Sequence, residues 1–138
     1  MIAHSEWKGG NNYEGISEEG NSIFFDAHPS HEQGPSPMQA VLMGLCGCTS
    51  VDVVSILEKK RQPLLGLRVT ATATQAETAP RVFTHIKLTY EVSGNLSRKA
   101  VEDAVALSKD KYCSVSKMLE KTATIDYEIV YASGEPEA

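Results

Sequence analysis

The fold of this chain is decided by residues 36–57, which read SPMQAVLMGLCGCTSVDVVSIL. Ser36 suits the position before a helix, Pro37 suits its first turn, and Gln39 lies where a capping box needs a glutamine. Apolar side chains then follow in almost every direction around the helix axis, which predicts a helix buried on all sides. We expect this central helix to span residues 36–61 and to end in a basic last turn.

A helix of this kind needs more cover than one short chain provides. A chain of 138 residues is a single domain by size, so its other segments must wrap every side of the helix. A second copy of the chain would supply the missing wall. Gly44 and Gly47 cost helix stability, which predicts that another backbone packs closely against them. These features together predict a homodimer.

The rest of the chain alternates between strand and helix signals. Residues 1–28 predict an antiparallel meander, because short runs of strand formers are separated by turn residues. Strict alternation and capping residues predict the elements of residues 65–132: a hairpin over 65–93, helices over 97–108 and 114–121, and a last strand over 123–131. Residues 133–138 are predicted to be a flexible tail of the single domain 1–138.

Composition and charge argue against two classes of partner. A formal net charge of −5 gives no basis for binding nucleic acid or an anionic membrane. Residues 1–8 lack the basic region and apolar core of a signal peptide, so we expect a cytoplasmic protein. Asp52 interrupts the longest apolar stretch, and a carboxylate in hydrocarbon is costly, so the stretch is predicted to be a core helix and not a membrane span.

The three cysteines are the candidates for chemistry. On a helix, Cys46 and Cys48 point about 200° apart, so they cannot chelate one ion or form an unstrained disulfide with each other. The histidines show no ligand spacing, and we predict no metal and no cofactor. The alternative interpretation is that both cysteines are small core residues.

Cys113 lies beside a predicted helix start, 65 residues after Cys48. Lys109 and Lys111 precede it, and both the lysines and the helix N-terminus favour a thiolate. Lasting disulfides are uncommon in a reducing cytoplasm, where paired cysteines are more often catalytic or metal-binding than structural. Cys113 can equally be an anchor of the helix junction, and this segment alone leaves both interpretations open.

Two motifs taken together resemble those of a known family. Gly34-Pro35-Ser36-Pro37-Met38-Gln39 precedes Leu45-Cys46-Gly47-Cys48-Thr49, and Lys111-Tyr112-Cys113-Ser114-Val115-Ser116 follows downstream. This arrangement resembles the OsmC/Ohr family of osmotically inducible and organic hydroperoxide resistance proteins, in the branch where Gly-Cys-Thr is followed by Asp52-Val53. The resemblance covers nearly the whole chain. It implies an α+β fold in which antiparallel sheets wrap around long central helices in an intertwined homodimer.

The resemblance also implies a site and a reaction. The family's reactive thiol falls on Cys48, ten residues after Met38, and its second cysteine falls on Cys113. The implied activity is reduction of an organic hydroperoxide or peroxide by the Cys48 thiolate, with Cys113 as the resolving thiol and an external dithiol as the reductant. The side chains expected around this pair are Asp52, Tyr112, Met38 and Gln39.

The chain departs from the family at the groups that activate the thiol. Family peroxidases use an arginine from the N-terminal half and a glutamate directly after the helix-start proline, whereas here the first arginine is Arg61 and Met38 follows Pro37. This departure supports an alternative, a non-catalytic protein that holds an apolar small molecule on the same scaffold. Asp52, one turn from Cys48, is either a hydrogen-bonded structural residue or a catalytic one.

Overall fold

A computed structural model describes residues 1–132, and the predicted flexible tail over residues 133–138 lies outside the described residues. The chain forms two compact units, residues 1–43 and the residues from 44 onward. Each unit contains a three-stranded sheet, and the helices follow the first sheet in the chain. The fold is α+β, as the sequence predicts.

The N-terminal unit contains the predicted antiparallel meander. Its strands pair in sequence order and are β1 (Ala3–Trp7), β2 (Asn12–Ser17) and β3 (Ser22–Asp26). The two turns fall on glycines because the backbone there adopts positive φ, 99° at Gly9 and 90° at Gly20. Turn chemistry and strand alternation therefore agree in this segment.

Asp26 orders the loop between the meander and the long helix. Its buried carboxylate accepts hydrogen bonds from the backbone N–H groups of His28 (2.8 Å) and Gln33 (3.1 Å). These bonds hold the pKa of Asp26 below its usual range, because they favour the charged carboxylate. His31 Nδ1 lies 2.9 Å from the carbonyl oxygen of Asp26. The side chain and the main chain of Asp26 therefore both have polar partners in this loop.

The long helix α1 (Pro37–Lys59) begins with the predicted capping box. The backbone N–H of Gln39 donates to Ser36 Oγ at 3.0 Å, and the backbone N–H of Ser36 donates to Gln39 Oε1 at 2.8 Å. Within residues 1–132, α1 is the one helix long and apolar enough to cross a membrane, a test that the core helix of a globular protein also passes.

The prediction that α1 is buried on all sides is wrong for a single chain. Its buried residues form one stripe with a spacing of one helical turn: Leu45, Thr49, Val53 and Leu57. On another face, Val51 is 69% exposed. Among the described residues, no atom outside the adjacent helix backbone lies within 4 Å of a Cβ added at Gly44 or Gly47. One chain therefore supplies packing partners for only one side of its central helix.

The sheet of the C-terminal unit is mixed, whereas the sequence predicted antiparallel sheets. Its strands are β4 (Leu64–Gln75), β5 (Phe83–Gly94) and β6 (Thr124–Tyr131). The predicted hairpin of β4 and β5 is antiparallel, but β6 runs parallel to β5. Parallel pairing is accessible because the connection from β5 to β6 contains helices and is long enough to cross over.

That connection contains three helical pieces: α2 (Arg98–Leu107), a π turn (Ser108–Tyr112) and α3 (Ser114–Leu119). As predicted, Ser97 caps α2, and its Oγ accepts from the backbone N–H of Ala100 at 3.3 Å. The sequence predicted a helix through Ser108. In the structure the α-helix ends at Leu107 and widens into the π turn, which leads directly to Cys113.

Candidate functional site

Cys48 and Cys113 meet in the C-terminal unit. Cys48 lies on α1 and is half-buried, whereas Cys113 follows the π turn and is fully buried. All three cysteines are free thiols. Cys48 lies close enough to Cys113 to act on its thiol, and this neighbour contributes to raising the pKa of Cys113.

The expectation that the surroundings of Cys113 favour a thiolate is wrong. Burial is the largest effect and raises the pKa of the Cys113 thiol. The backbone N–H of Ser116, which donates to Cys113 Sγ at 3.4 Å, acts in the opposite direction and is outweighed. Lys109 Nζ lies 3.7 Å from the carboxylate of the next residue, and Lys111 Nζ lies 5.3 Å from the ring centre of the tyrosine that follows it. Both lysines therefore have partners other than the thiol.

A chain of hydroxyl groups lies beside the thiol pair. Tyr90 Oη is 2.7 Å from Thr49 Oγ1, and Thr49 Oγ1 is 2.7 Å from Ser108 Oγ. Ser108 Oγ donates to Asp52 Oδ2 at 2.9 Å. Tyr90, Thr49 and Ser108 are buried, and burial raises the pKa of Tyr90 to about 12, so its phenol stays protonated at neutral pH. The chain joins β5, α1 and the π turn.

The backbone of Ser108 connects this chain to the second thiol. Its carbonyl oxygen accepts a hydrogen bond from the backbone N–H of Cys113 at 2.8 Å. This bond spans the π turn, whose extra residue is a feature that often occurs at functional sites. Ser108 therefore contacts α1 through its side chain and Cys113 through its main chain.

Asp52 and Tyr112 line one open pocket of about 400 Å³. The remaining lining residues mix apolar and polar side chains and are Ser55, Ile56, Lys59, Lys60 and Leu107. Tyr112 is 51% exposed. The bond from Ser108 to Asp52 agrees with the structural interpretation of this aspartate.

Cys46 has surroundings different from those of Cys48. Burial raises the pKa of the Cys46 thiol, and the nearby backbone of Ala71 in β4 opposes that shift. Residues two apart on a helix point to different sides, so the two thiols of α1 have separate partners. Within residues 1–132, no group of three or more His, Cys, Asp or Glu side chains is arranged to hold a metal ion.

Met38 and Gln39 lie in the first turn of α1, in the N-terminal unit. The Gln39 side chain is used in the capping box, and Met38 is half-buried. Their predicted place around the thiols stays a prediction.

Sequence reasoning missed Thr49, Tyr90 and Ser108. Two signals pointed toward the first two. Thr49 lies one turn from Leu45 on the stripe of α1 that is buried, and Tyr90 lies on the inward face of β5, where a buried phenol needs a hydrogen-bond partner. Ser108 carries no such signal, because its environment depends on the π turn.

Fold and site together define a class of protein: an α+β chain with two free thiols in contact beside a long apolar helix. Residues 30–128 match the family described as OsmC-like protein. Protein YhfA of Escherichia coli K12 is 46% identical over 135 residues, which cover 96% of this chain and 100% of YhfA. The chain belongs to the OsmC-like protein family.

Solved structures agree with this family. The crystal structure of a hypothetical protein from Aquifex aeolicus VF5 is 28% identical with a TM-score of 0.81, and the match covers 96% of this chain and 97% of that one. The organic hydroperoxide resistance protein OhrB of Bacillus subtilis is 15% identical with a TM-score of 0.69, covering 94% of this chain and 98% of that one. At 15% identity this second likeness shows the fold alone.

Proposed function

We propose that this protein is a thiol peroxidase that reduces organic hydroperoxides and serves in defence against oxidative stress. The observation that carries the proposal is the placement of the half-buried Cys48 thiol beside the fully buried Cys113 thiol. Membership of the OsmC-like family and the likeness in fold to an organic hydroperoxide resistance protein support it.

Exposure and the raised pKa of Cys113 distinguish the two proposed roles. Cys48 is the more accessible of the two thiols, so it is the nucleophile that meets the peroxide. Cys113 is fully buried and its pKa is raised, so it stays a protonated thiol while Cys48 reacts. A shielded thiol in contact with the nucleophile is suited to be the resolving group.

The proposed reaction has three steps. The Cys48 thiolate attacks one peroxide oxygen and the O–O bond breaks, which leaves a sulfenic acid on Cys48 and an alkoxide that takes a proton to become the alcohol. The Cys113 sulfur then attacks the Cys48 sulfur, forming a disulfide and releasing water. An external dithiol supplies two electrons and two protons and restores both thiols.

Consumption of an organic hydroperoxide in the presence of a dithiol tests the proposal. We expect Cys48→Ser to abolish turnover, and we expect Cys113→Ser, given peroxide without the dithiol, to consume one equivalent and keep a sulfenic acid on Cys48 where the wild type forms a disulfide. Cys46→Ser is the matched control, since it removes a thiol of the same helix that has separate surroundings. Undiminished turnover in Cys48→Ser would refute the assignment of roles.

We also propose that a second copy of the chain covers the open face of α1. Gly44, Gly47 and Val51 follow one helical face, and small residues allow another helix backbone to approach closely. Val51→Lys should convert a dimer into a monomer in sedimentation or light scattering, because a lysine would be buried in the interface. A wild-type chain that is monomeric at micromolar concentration would contradict this proposal.

The alternative function is binding of an apolar small molecule without catalysis. One observation favours it: an open apolar pocket of about 580 Å³ in the N-terminal unit, whose lining includes Ala3, Ile16, Ile23 and Phe25. Within residues 1–132 of one chain, no ion pair or hydrogen bond joins a cationic side chain to either thiol. Slow and equal alkylation of all three thiols near neutral pH would favour binding, and fast selective alkylation of Cys48 would favour the peroxidase.

A further inference from the structure

The hydrogen bonds of the hydroxyl chain beside the thiols all donate in the same direction along the chain. A carboxylate accepts hydrogen bonds only, so the proton between Ser108 and Asp52 belongs to Ser108. Each hydroxyl has one proton to donate. Ser108 has used its proton, so it accepts from Thr49, and Thr49 in turn accepts from the Tyr90 phenol. The order of donation is therefore Tyr90 to Thr49 to Ser108 to Asp52.

This order attaches the side chain of Ser108 to α1 at two points. It accepts from Thr49, the residue that follows Cys48, and donates to Asp52, one helical turn beyond Cys48. The hydroxyl is buried, so breaking either bond leaves a polar group without water to replace its partner. The start of the π turn is held firmly against the part of α1 that carries Cys48.

The carbonyl of Ser108 is attached to Cys113. The Cys113 N–H donates to it at 2.8 Å across the π turn, and the Ser116 hydroxyl has two carbonyl oxygens within reach of its one proton, those of Lys109 (3.3 Å) and Cys113 (3.1 Å). These bonds limit the ways in which the turn can move relative to Ser108. Ser108 therefore links the two cysteines. Its side chain bonds to α1 beside Cys48, and its carbonyl oxygen bonds to the backbone of Cys113.

We propose that Ser108 is a positioning residue that holds the Cys113 thiol against the Cys48 thiol and thereby stabilises the disulfide between them. The inference deepens the proposed function, since it concerns the same thiol pair. It does not require turnover of peroxide, because any oxidant that forms the disulfide reports on the same geometry.

Glutathione disulfide provides a defined oxidant for the test. One glutathione disulfide takes two electrons from the Cys48 and Cys113 thiols, its sulfur–sulfur bond breaks, a protein disulfide forms, and the two protons leave on two glutathione thiols. The equilibrium constant of this exchange is the effective concentration of one protein thiol toward the other. It is read from the full-length protein after acid quenching and alkylation, with the disulfide located by peptide mass spectrometry.

The first variant is Ser108→Ala. We expect it to lower the effective concentration at least about fivefold, because it removes both hydrogen bonds to α1 and leaves the π turn free to shift. Val101→Ala is the matched control: Val101 is fully buried on α2, so its truncation lowers stability while the hydroxyl chain stays intact. We expect the effective concentration in Val101→Ala to equal that of the wild type.

If Ser108→Ala does not fold, a second pair of variants tests whether the hydroxyl bond between Thr49 and Ser108 positions the thiols. Thr49→Val keeps the shape of the side chain but removes its hydroxyl, whereas Thr49→Ser keeps the hydroxyl and removes a methyl group. We expect Thr49→Val to lower the effective concentration about two- to threefold, since one of two bonds is lost, and Thr49→Ser to restore it.

The glutathione measurements test the role of Ser108 independently of peroxide turnover. An unchanged effective concentration in Ser108→Ala, or an equal loss in Val101→Ala, would overturn it. If Thr49→Ser moves the equilibrium as far as Thr49→Val, the hydroxyl is not responsible and the proposal also fails. If the wild type forms no Cys48–Cys113 disulfide in any glutathione buffer, the proposal fails because there is no disulfide for Ser108 to stabilise. If instead peroxide is not consumed but Ser108→Ala shifts the equilibrium, the proposed function fails and this inference stands.

Discussion

The backbone N–H of Ser116 donates to the sulfur of Cys113 at 3.4 Å, so this cysteine caps helix α3. The same thiol lies beside Cys48 on α1, a neighbour that contributes to raising its pKa. Cys113 therefore anchors the helix junction and also takes part in the thiol pair, the two interpretations that its sequence surroundings left open.

The cap predicts a difference between two substitutions at this position. Cys113→Ala should lower the free energy of unfolding by about 1 kcal/mol more than Cys113→Ser, because the serine oxygen accepts the same bond from Ser116. Urea unfolding of the reduced variants measures the difference. Neither variant can form the disulfide, so that effect cancels in the comparison. Equal stability would mean that the sulfur contributes nothing as a cap.

Tyr90 predicts a loss of stability at high pH. Burial raises its pKa to about 12 from the usual 10, so the protonated phenol is the stabilised form. A raised folded-state pKa contributes stability that is complete below the unfolded value and is lost as the pH rises through the folded value. Between about pH 10 and 12 the wild type should therefore lose roughly 2 kcal/mol more than Tyr90→Phe. Urea midpoints of both proteins over this range measure the loss, and parallel curves would contradict it.

Asp26 predicts the opposite dependence at low pH. The backbone N–H groups of His28 and Gln33 lower its pKa, so its contribution is present above the unfolded value and is lost as the pH falls through the folded one. Asp26→Asn should be less stable than the wild type at neutral pH, and the two should converge in acid. Urea midpoints at neutral and acidic pH measure this. A gap that stays constant would show that the charge of Asp26 does not order the loop.

The two faces of α1 predict different responses to truncation. Leu45 is fully buried, so Leu45→Ala should cost about 2–5 kcal/mol at any protein concentration. Val51 is 69% exposed in one chain, so Val51→Ala should act only through a second copy. Its effect on thermal stability should then depend on protein concentration, and thermal unfolding over a hundredfold range of about 1–100 µM would measure it. A loss independent of concentration would mean that Val51 packs within its own chain.

The capping residues made several boundaries predictable. Ser36 with Gln39 and Ser97 with Ala100 form the expected hydrogen bonds at the starts of α1 and α2. Such bonds link residues three apart, so a local pattern is sufficient to predict them. The π turn at Ser108 was not predictable, because an extra residue in a helix is tolerated only where tertiary contacts hold it.

The thiol site was predictable in its members and not in its electrostatics. Resemblance to the OsmC/Ohr family selected Cys48 and Cys113, and the structure places them side by side. The neighbouring lysines suggested a thiolate at Cys113, but the pKa of Cys113 is raised. Burial is a property of the folded core and cannot be read from adjacent residues.

The sequence by itself determined the order of elements, the helix caps, the family and the two cysteines, because these depend on residue type and short-range spacing. Only the tertiary structure decided which stripe of α1 is buried, that β6 runs parallel to β5, and that Tyr90, Thr49, Ser108 and Asp52 form one chain. Two residues that are directly hydrogen-bonded in this chain of side chains lie up to 59 positions apart in the sequence. Their contact follows from the packing of α1, β5 and the π turn, which no local pattern encodes.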